Sequence, residues 1–363
     1  MEKMPKWADL VLTPLISILL AFGISALVVA ALGFDPWEAV QVMVSGAVGT
    51  SSGWGYTLYF ATNFIFTGLA VAVAYHAGLF NIGGEGQALI GGLGVALLLL
   101  HVPFPHWSLA LLAAMVAAGL FGAAWSFIPA ILQAKRGSHI VITTIMFNFI
   151  AAALLVEVIK YLRPVGSMDP ASPRFPASAT IPRLSEILQP LGIDWARHAP
   201  VNITFLIALA FCLLVWLLLW HTRLGYEIRA FGKSEKAARY AGISPVRITI
   251  VAMLISGALA GLMAVNTIMG LQGRLILNHA EGAGFIGIAV ALMGRNHPVG
   301  ILLAALLFGA LYQGGQELAM MTTIPPELIT VIQALVILFT GALDNMVRMP
   351  LERLFLSLRK GKS

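Results

Sequence analysis

The chain has 363 residues, of which 59% are hydrophobic and only 10% are charged, and its mean hydropathy is +0.89. This composition excludes an ordinary soluble domain and is typical of an integral membrane protein. A net charge of +6 would suggest a nucleic-acid partner for a soluble chain. Here the basic residues belong to short loops, where they set orientation in the bilayer, so we exclude nucleic acid.

The first half of the chain predicts five membrane helices. Residues 10–32 are apolar over a length that spans about 30 Å of hydrocarbon. Residues 33–55 hold acidic residues but no Lys or Arg, which indicates an extracytoplasmic loop. Further spans are predicted at residues 56–75, 88–100, 108–132 and 140–161. The stretch GLFNIGGEGQ at 78–87 is too rich in glycine for a plain helix, so the 88–100 piece is short.

A proline-rich loop follows these spans. Seven prolines between residues 162 and 200 predict extended or polyproline-like chain. We assign residues 163–200 to the extracytoplasmic side, where they would form a cap or a docking surface.

The second half predicts five more spans, at residues 201–220, 248–269, 284–293, 298–317 and 328–343. The piece at 284–293 makes about 15 Å of helix and cannot cross alone. With both termini in the cytoplasm, most Lys and Arg residues lie in the cytosol, as the positive-inside rule requires. The expected protein is therefore an all-α, multi-pass protein of the cell (inner) membrane.

The order of these ten spans predicts two inverted repeats. Spans two to five start outside and spans seven to ten start inside, within helical halves 1–162 and 201–345 of a single domain, 1–363. A discontinuous, glycine-rich span comes second in each repeat. Broken segments at matching positions point to a transport pathway. Glycines that only allow close helix packing are the alternative.

A polar segment at residues 222–247, TRLGYEIRAFGKSEKAARYAGISPVR, separates the two apolar halves and is expected in the cytosol. Within it, Ser234 is predicted to cap a short helix that runs through Arg239. Glu235 lies in its first turn, where the helix dipole favours negative charge, and Gly242 ends it. Such a helix would let a separate subunit push on the membrane part. A basic loop that only fixes topology is the alternative.

The residues give no indication of catalysis or of ATP hydrolysis on this chain. Lys233 and Ser234 match the end of a phosphate-binding loop, but its first glycine would fall at Glu227. Carboxylates suited to ion coupling are confined to the ends of spans, except for Glu85 at the start of the short third span. Glu85 either shapes the GGEG turn or acts in a gate. We therefore expect no cofactor in this chain.

Neutral polar side chains inside the spans predict a weakly polar route for an uncharged solute. Asn63 and Thr67 share a helix face at i and i+4, as do Thr144 and Asn148. Phe147, beside them, is available for stacking. Interhelical hydrogen bonds that only join the helices are the alternative. The candidate pathway residues are Asn63, Thr67, Glu85, Gln87, Thr144, Phe147, Asn148 and Asn266.

Three stretches together carry a family resemblance: GLFNIGGEGQ at 78–87, GKSEKAARYAGIS at 232–244 and GFIGIAVALMGRNHPVG at 284–300. Over nearly the whole chain they resemble the permease subunits of ATP-binding-cassette (ABC) importers for simple sugars, nucleosides and branched-chain amino acids. More distant importers show E-A-A-x-x-x-G in the cytosolic stretch, and here Lys236 replaces the Glu. The resemblance implies a coupling helix that contacts the ATPase subunit through Ser234, Glu235, Lys236, Ala237, Ala238, Arg239 and Gly242.

The outer loop sharpens this resemblance. FPASATIPRL at 175–184 looks like the insertion of the nucleoside subgroup, which favours nucleosides and places simple sugars next. The resemblance implies an ATPase subunit that binds ATP and Mg²⁺, a second permease in a heterodimer and an extracytoplasmic solute-binding protein. We expect inward transport by alternating access, driven by that ATPase. An ion-coupled secondary transporter is the alternative, and a membrane-bound enzyme would need a reactive constellation that the sequence lacks.

Overall fold

The computed structural model describes residues 12–193, 195–339 and 349–351, which form fourteen α-helices and two isolated β-bridges. The helices of the first half are α1 (Thr13–Ala31), α2 (Pro36–Val44), α3 (Ser51–His76), α4 (Gly84–His101), α5 (Trp107–Arg136), α6 (Ile140–Leu162) and α7 (Leu184–Leu188). Those of the second half are α8 (Thr204–His221), α9 (Arg223–Lys233), α10 (Glu235–Tyr240), α11 (Pro245–Ala264), α12 (Ala283–Met293), α13 (Pro298–Met321) and α14 (Pro326–Ile337).

Seven helices in the described part of the chain are long and apolar enough to cross a membrane. They are α3, α4, α5, α6, α8, α13 and α11 with its continuation to Gln272. A polytopic helical membrane protein is therefore confirmed. The count of ten spans stays a prediction, because α12 has 11 residues, α14 has 12, and residues 1–11 and 340–348 lie outside the described residues.

The described residues form two compact units, one made of those up to Gly53 and those from Ala310 onward, and the other of Trp54–Gly309. In the first unit α1 packs on α2 and α14. In the second, α11 and α4 pack on each other and on α5. The apolar window of α3 is 94% buried, whereas that of α8 is only 22% buried. Helix α3 is thus central in its unit, and α8 presents most of its surface outward.

Glycines decide how closely the central helices approach. A side chain at Gly91 of α4 would meet the backbone of Gly261 on α11, and one at Gly122 of α5 would meet the carbonyl of Gly257. Small residues at such interfaces let helix backbones touch. Gly91 therefore allows close packing of α4 on α11, as the packing alternative predicts for it.

Two sequence-based boundaries are wrong. The segment 33–55 is largely helical, because Asp35 caps α2 by accepting a hydrogen bond from Trp37 N at 2.8 Å, and Pro36 suits a first helical position. The stretch 78–87 is non-helical only as far as Gly83, and α4 has 18 residues. Glycine lowers helix propensity, but burial of both helix faces overrides that preference here.

The proline-rich loop has little regular structure. Its described residues form α7, two 3-10 turns (Ala177–Ala179 and Gln189–Leu191) and isolated bridges at Ala171 and Arg183, and the rest is irregular, which agrees with the predicted extended chain. Ser172 N donates to Leu275 O at 2.9 Å, and Phe175 N donates to Gly273 O at 2.8 Å. The loop is therefore bonded to the segment between α11 and α12.

Candidate functional site

The non-helical entry to α4 is organised by Asn81, which is 1% exposed. Its Oδ1 accepts a hydrogen bond from Gly83 N at 2.9 Å. Its Nδ2 donates to Gln87 Oε1 at 2.9 Å and to Ser256 Oγ at 2.8 Å. Ser256 in turn donates to Ala70 O at 2.6 Å. Asn81 therefore joins α4 to α11, and through Ser256 to α3.

Helix α6 completes this arrangement, which we call the entry cluster: Asn81, Gln87, Thr144, Asn148 and Ser256. Asn148 Oδ1 accepts from Gly86 N at 2.8 Å, and its Nδ2 donates to Ile82 O at 2.9 Å. Thr144 Oγ1 accepts from Ile82 N at 3.4 Å. These side chains satisfy backbone groups that a helix start leaves without partners. The predicted shared face of Thr144 and Asn148 is thus directed at the start of α4.

Glu85 joins the starts of two helices. It lies in the first turn of α4 and is 7% exposed. Its Oε1 accepts from Gly282 N and its Oε2 from Gly284 N, both at 2.9 Å. Gly282 is the N-cap of α12, so one carboxylate lies at the positive ends of two helix dipoles. Close approach requires glycine, because a side chain at Gly284 would overlap the backbone of α4.

A second group of polar side chains, the outer amide cluster, joins α3, α8 and the turn that continues α11. Asn266 Nδ2 donates to Asn63 Oδ1 at 2.8 Å. Asn266 Oδ1 accepts from Thr204 Oγ1 at 2.6 Å and from Asn202 Nδ2 at 3.1 Å. Thr67 donates to Asn63 O at 3.0 Å within its own helix.

The predicted pathway residues therefore fall into separate groups. Gln87, Thr144 and Asn148 meet in the entry cluster, and Asn63 and Asn266 meet in the outer one. The ring of Phe147 is in neither cluster and lies edge-on to Trp125, with centroids 5.4 Å apart.

The sequence did not predict four members of the two clusters: Asn81, Asn202, Thr204 and Ser256. A polar residue just before a helix start was the available signal for Asn81 and Asn202, because such residues bond to local backbone.

The polar segment at residues 222–247 contains the predicted short helix, α10. Ser234 Oγ accepts from Ala237 N at 3.3 Å, and Arg239 forms an ion pair with Glu235 at 2.8 Å. Gly242 has φ +79°, and the bonds Gly242 N to Arg239 O and Ile243 N to Ala238 O complete a Schellman motif. The predicted positions of the N-cap at Ser234, of Glu235 in the first turn and of the helix end at Gly242 are confirmed.

A second helix in this segment, α9, was not predicted. Its buried residues, Gly225, Ile228 and Phe231, recur every three positions, and that amphipathic spacing was the missed signal. Helix α9 packs on α8, α10 and α11. Of the α10 residues only Ala238 is buried, and Tyr240 is 96% exposed. The polar face of α10 is therefore free in this chain to meet another protein.

The long apolar helices define a helical membrane protein. Polar groups at the starts of interrupted helices are typical of transport proteins. The family described as "Branched-chain amino acid transport system / permease component" matches residues 53–341. The chain belongs to this family, the ABC importer permeases, which confirms the resemblance seen in the sequence.

Curated relatives cover most of the chain. It is 36% identical to a glucose ABC transporter permease of Haloferax volcanii (90% of this chain, 86% of the relative). It is 34% identical to a guanosine ABC transporter permease of Bacillus subtilis (91% and 93%) and 35% identical to a nucleoside ABC transporter permease of Lactococcus lactis (91% and 90%). The last two organisms each hold a second permease that matches at 29% and 26% identity. No solved structure shows a significant match.

Proposed function

We propose that this chain is the permease subunit of an ABC importer that moves a nucleoside inward, with a simple sugar as the next candidate. The observation that carries the proposal is α10, a helix closed at both ends by its own hydrogen bonds and exposed on its polar face. A rigid exposed helix transmits force from a partner without first having to fold. ATP and Mg²⁺ are assigned to that partner, and no cofactor is assigned to this chain.

The coupling contact is assigned to the segment from Ser234 to Gly242. Glu235, Lys236 and Arg239 are exposed and give α10 charges of both signs. A cavity of about 330 Å³ opens beside the helix between the ends of α3, α5 and α9 and the start of α11, lined in part by Gln133 and Phe231. Such a surface suits a groove of the ATPase subunit that holds α10 by its charged side chains.

The solute class is inferred from the relatives and from the chemistry of the clusters. Relatives named for guanosine, for nucleosides and for glucose share about a third of their residues with this chain. The entry and outer amide clusters consist of amides and hydroxyls, which donate and accept hydrogen bonds as bases and sugar hydroxyls do. The Glu85 carboxylate already accepts from two backbone groups. An uncharged polar solute therefore fits better than an ionic one.

The pathway is assigned to the region where α4 and α12 begin. Each follows a non-helical segment, residues 77–83 and 273–282, and each comes second in a group of four helices that starts at α3 or at α11. This order supports two inverted repeats with alternating access around the paired helix starts. Asn63, Thr67, Glu85, Gln87, Thr144, Asn148 and Asn266 would exchange their mutual hydrogen bonds for bonds to solute, with Phe147 at the margin.

Partners and orientation complete the proposal. Two relatives come from organisms that each hold a second, less similar permease, which supports a heterodimer. The proline-rich loop, residues 163–200, is assigned to the extracytoplasmic side as the surface that meets a solute-binding protein. Both termini are assigned to the cytoplasmic side of the cell membrane.

The test is uptake of labelled guanosine, uridine, ribose and glucose in cells that carry the complete transporter. We expect nucleoside uptake that is lost when the partner ATPase is deleted or its catalytic carboxylate is replaced. Uptake that persists without the ATPase, and stops only when a protonophore is added, would instead indicate ion-coupled secondary transport. Thermal shift of the binding protein with the same solutes identifies the substrate independently.

A further inference from the structure

Four side chains from separate segments meet where α8 leads into α9. The ring of Trp220 lies 5.2 Å from the ring of His76 and 5.0 Å from the ring of His297, measured between centroids. The guanidinium carbon of Arg229 lies 6.0 Å from the Trp220 centroid. We call these four residues the inner cluster. It shares no residue with the entry cluster, the outer amide cluster or α10.

One side of the inner cluster is fixed to the coupling segment. A side chain at Gly225 of α9 would overlap the carbonyl of Leu218, and one at Gly232 would overlap the carbonyl of His76. The α9 backbone is therefore in direct contact with the ends of α8 and α3. Helix α10 follows α9 after Ser234 alone. Helix α9 therefore joins α10 to the ends of α8 and α3, where Trp220 and His76 lie.

The other side of the inner cluster is the turn at residues 294–297, between α12 and α13. His76 Nε2 lies 3.0 Å from Asn296 O, so its ring contacts both the turn and Trp220. Arg295 and Asn296 have positive φ angles, 53° and 54°, which are uncommon for residues other than glycine. Asn296 N donates to Ala291 O at 2.7 Å, which ties the turn to the end of α12.

Helix α12 leads from this turn to the paired helix starts. It has 11 residues, about 16 Å of helix, and its first turn is bonded to Glu85. One continuous helix therefore connects the 294–297 turn with the contact between Glu85 and the start of α12.

We propose that the inner cluster is the joint through which ATP-driven displacement of α9 and α10 reaches α12. Trp220 is the positioning residue, because its ring is the common partner of His76, His297 and Arg229. This inference rests on the proposed function and extends it to three residues outside the coupling segment 222–247. Without the ring, the coupling segment and the 294–297 turn lose that common partner, so ATP hydrolysis proceeds without transport.

The experiment compares Trp220→Leu with Trp220→Phe and with Trp216→Leu, each in the complete transporter reconstituted in proteoliposomes. Trp216 lies one turn earlier on α8 and pairs with His221 at 4.2 Å, outside the inner cluster, so it is the matched control. We expect W220L to keep its basal ATPase activity within about twofold of wild type. Its solute uptake, and the stimulation of its ATPase by the loaded binding protein, should each fall at least tenfold. W220F restores at least half of both, and W216L behaves as wild type.

His297→Ala is the second variant, measured in the same way, so that a failure of W220L to assemble leaves the proposal open to test. If an assembled W220L or H297A transporter shows wild-type uptake and wild-type stimulation of its ATPase, the proposal that the inner cluster is a joint is overturned. Parallel loss of basal ATPase activity and uptake, with no rescue by W220F, also overturns it, because that result indicates a purely structural role. Absence of ATP-dependent uptake in the wild-type complex contradicts the proposed function itself.

Discussion

Asn148 shows how a single side chain defines the start of a membrane helix. Its amide donates to Ile82 O and accepts from Gly86 N, and it is 7% exposed. Both backbone groups belong to the break before α4 and its first turn, where the helix offers them no partner. The two opposite bonds require an amide, because a hydroxyl cannot span both positions and a carboxylate cannot donate.

We predict that Asn148→Leu reduces solute uptake more than Asn63→Leu. The first substitution removes the bonds of buried Gly86 N and of partly buried Ile82 O, and a buried group left without a partner costs about 1–3 kcal/mol. The second removes one of the two bonds that Asn266 Nδ2 donates. Uptake and thermal stability of the two variants, purified side by side, provide the measurement. A larger loss in Asn63→Leu would show that the entry cluster is not the critical one.

At the scale of the element, α10 is defined by its ends rather than by its six residues. Six residues are too few for a stable isolated helix, since the first turn is costly to nucleate. Ser234 caps the start, the Schellman motif at Gly242 closes the end, and Ala238 packs inward. A substitution at the end of α10 can therefore change the conformation of the helix without altering its exposed side chains.

We predict that Gly242→Val leaves membrane insertion intact but uncouples ATP hydrolysis from uptake. Nothing lies within 4 Å of an added side chain, so the effect is conformational. A left-handed position costs a β-branched residue about 1–3 kcal/mol, which opens the last turn of α10. The measurement is ATPase stimulation by the loaded binding protein. Gly137→Val, at φ +67° after α5 and also without close neighbours, is the control that should retain stimulation.

At the scale of the whole molecule, the proline-rich loop is an ordered segment between α6 and α8 that packs on the apolar helices. Its Ala196 and Ala199 are buried with Val201 against Tyr56 and Phe205, while the charged side chains among its described residues are exposed. Prolines lower the entropy lost when such a chain is ordered. The loop is therefore a pre-ordered surface with four exposed arginines: Arg163, Arg174, Arg183 and Arg197.

We predict that changing these four arginines to glutamine weakens binding of the solute-binding protein and removes much of its salt dependence. Exposed charge pairs are screened once the Debye length falls to about 8 Å near physiological ionic strength. Basal ATPase activity should stay near wild type. The same change at exposed Lys135 and Arg136 should leave docking unaffected. Equal affinity at low salt for the variant and wild type would mean that the loop only covers the transporter.

Some of this protein could be predicted from its sequence alone. The membrane class follows from composition, and α10 with its cap and stop follows from residues that bond within five positions of one another. The 11-residue α12 follows from the length of an apolar run. These features depend on local propensity and local hydrogen bonds, so neighbouring residues contain the information that determines them.

Other features were decided only by the tertiary structure. Glu85 bonds to residues almost 200 positions away, and Asn266 bonds to Asn63 across 203 positions. Local sequence contains no signal for such pairs, because they form only after glycine contacts such as Gly91 with Gly261 have set the distance between helices. The inner cluster around Trp220 likewise depends on where four separate segments end. Packing of the helices therefore determined which polar residues meet.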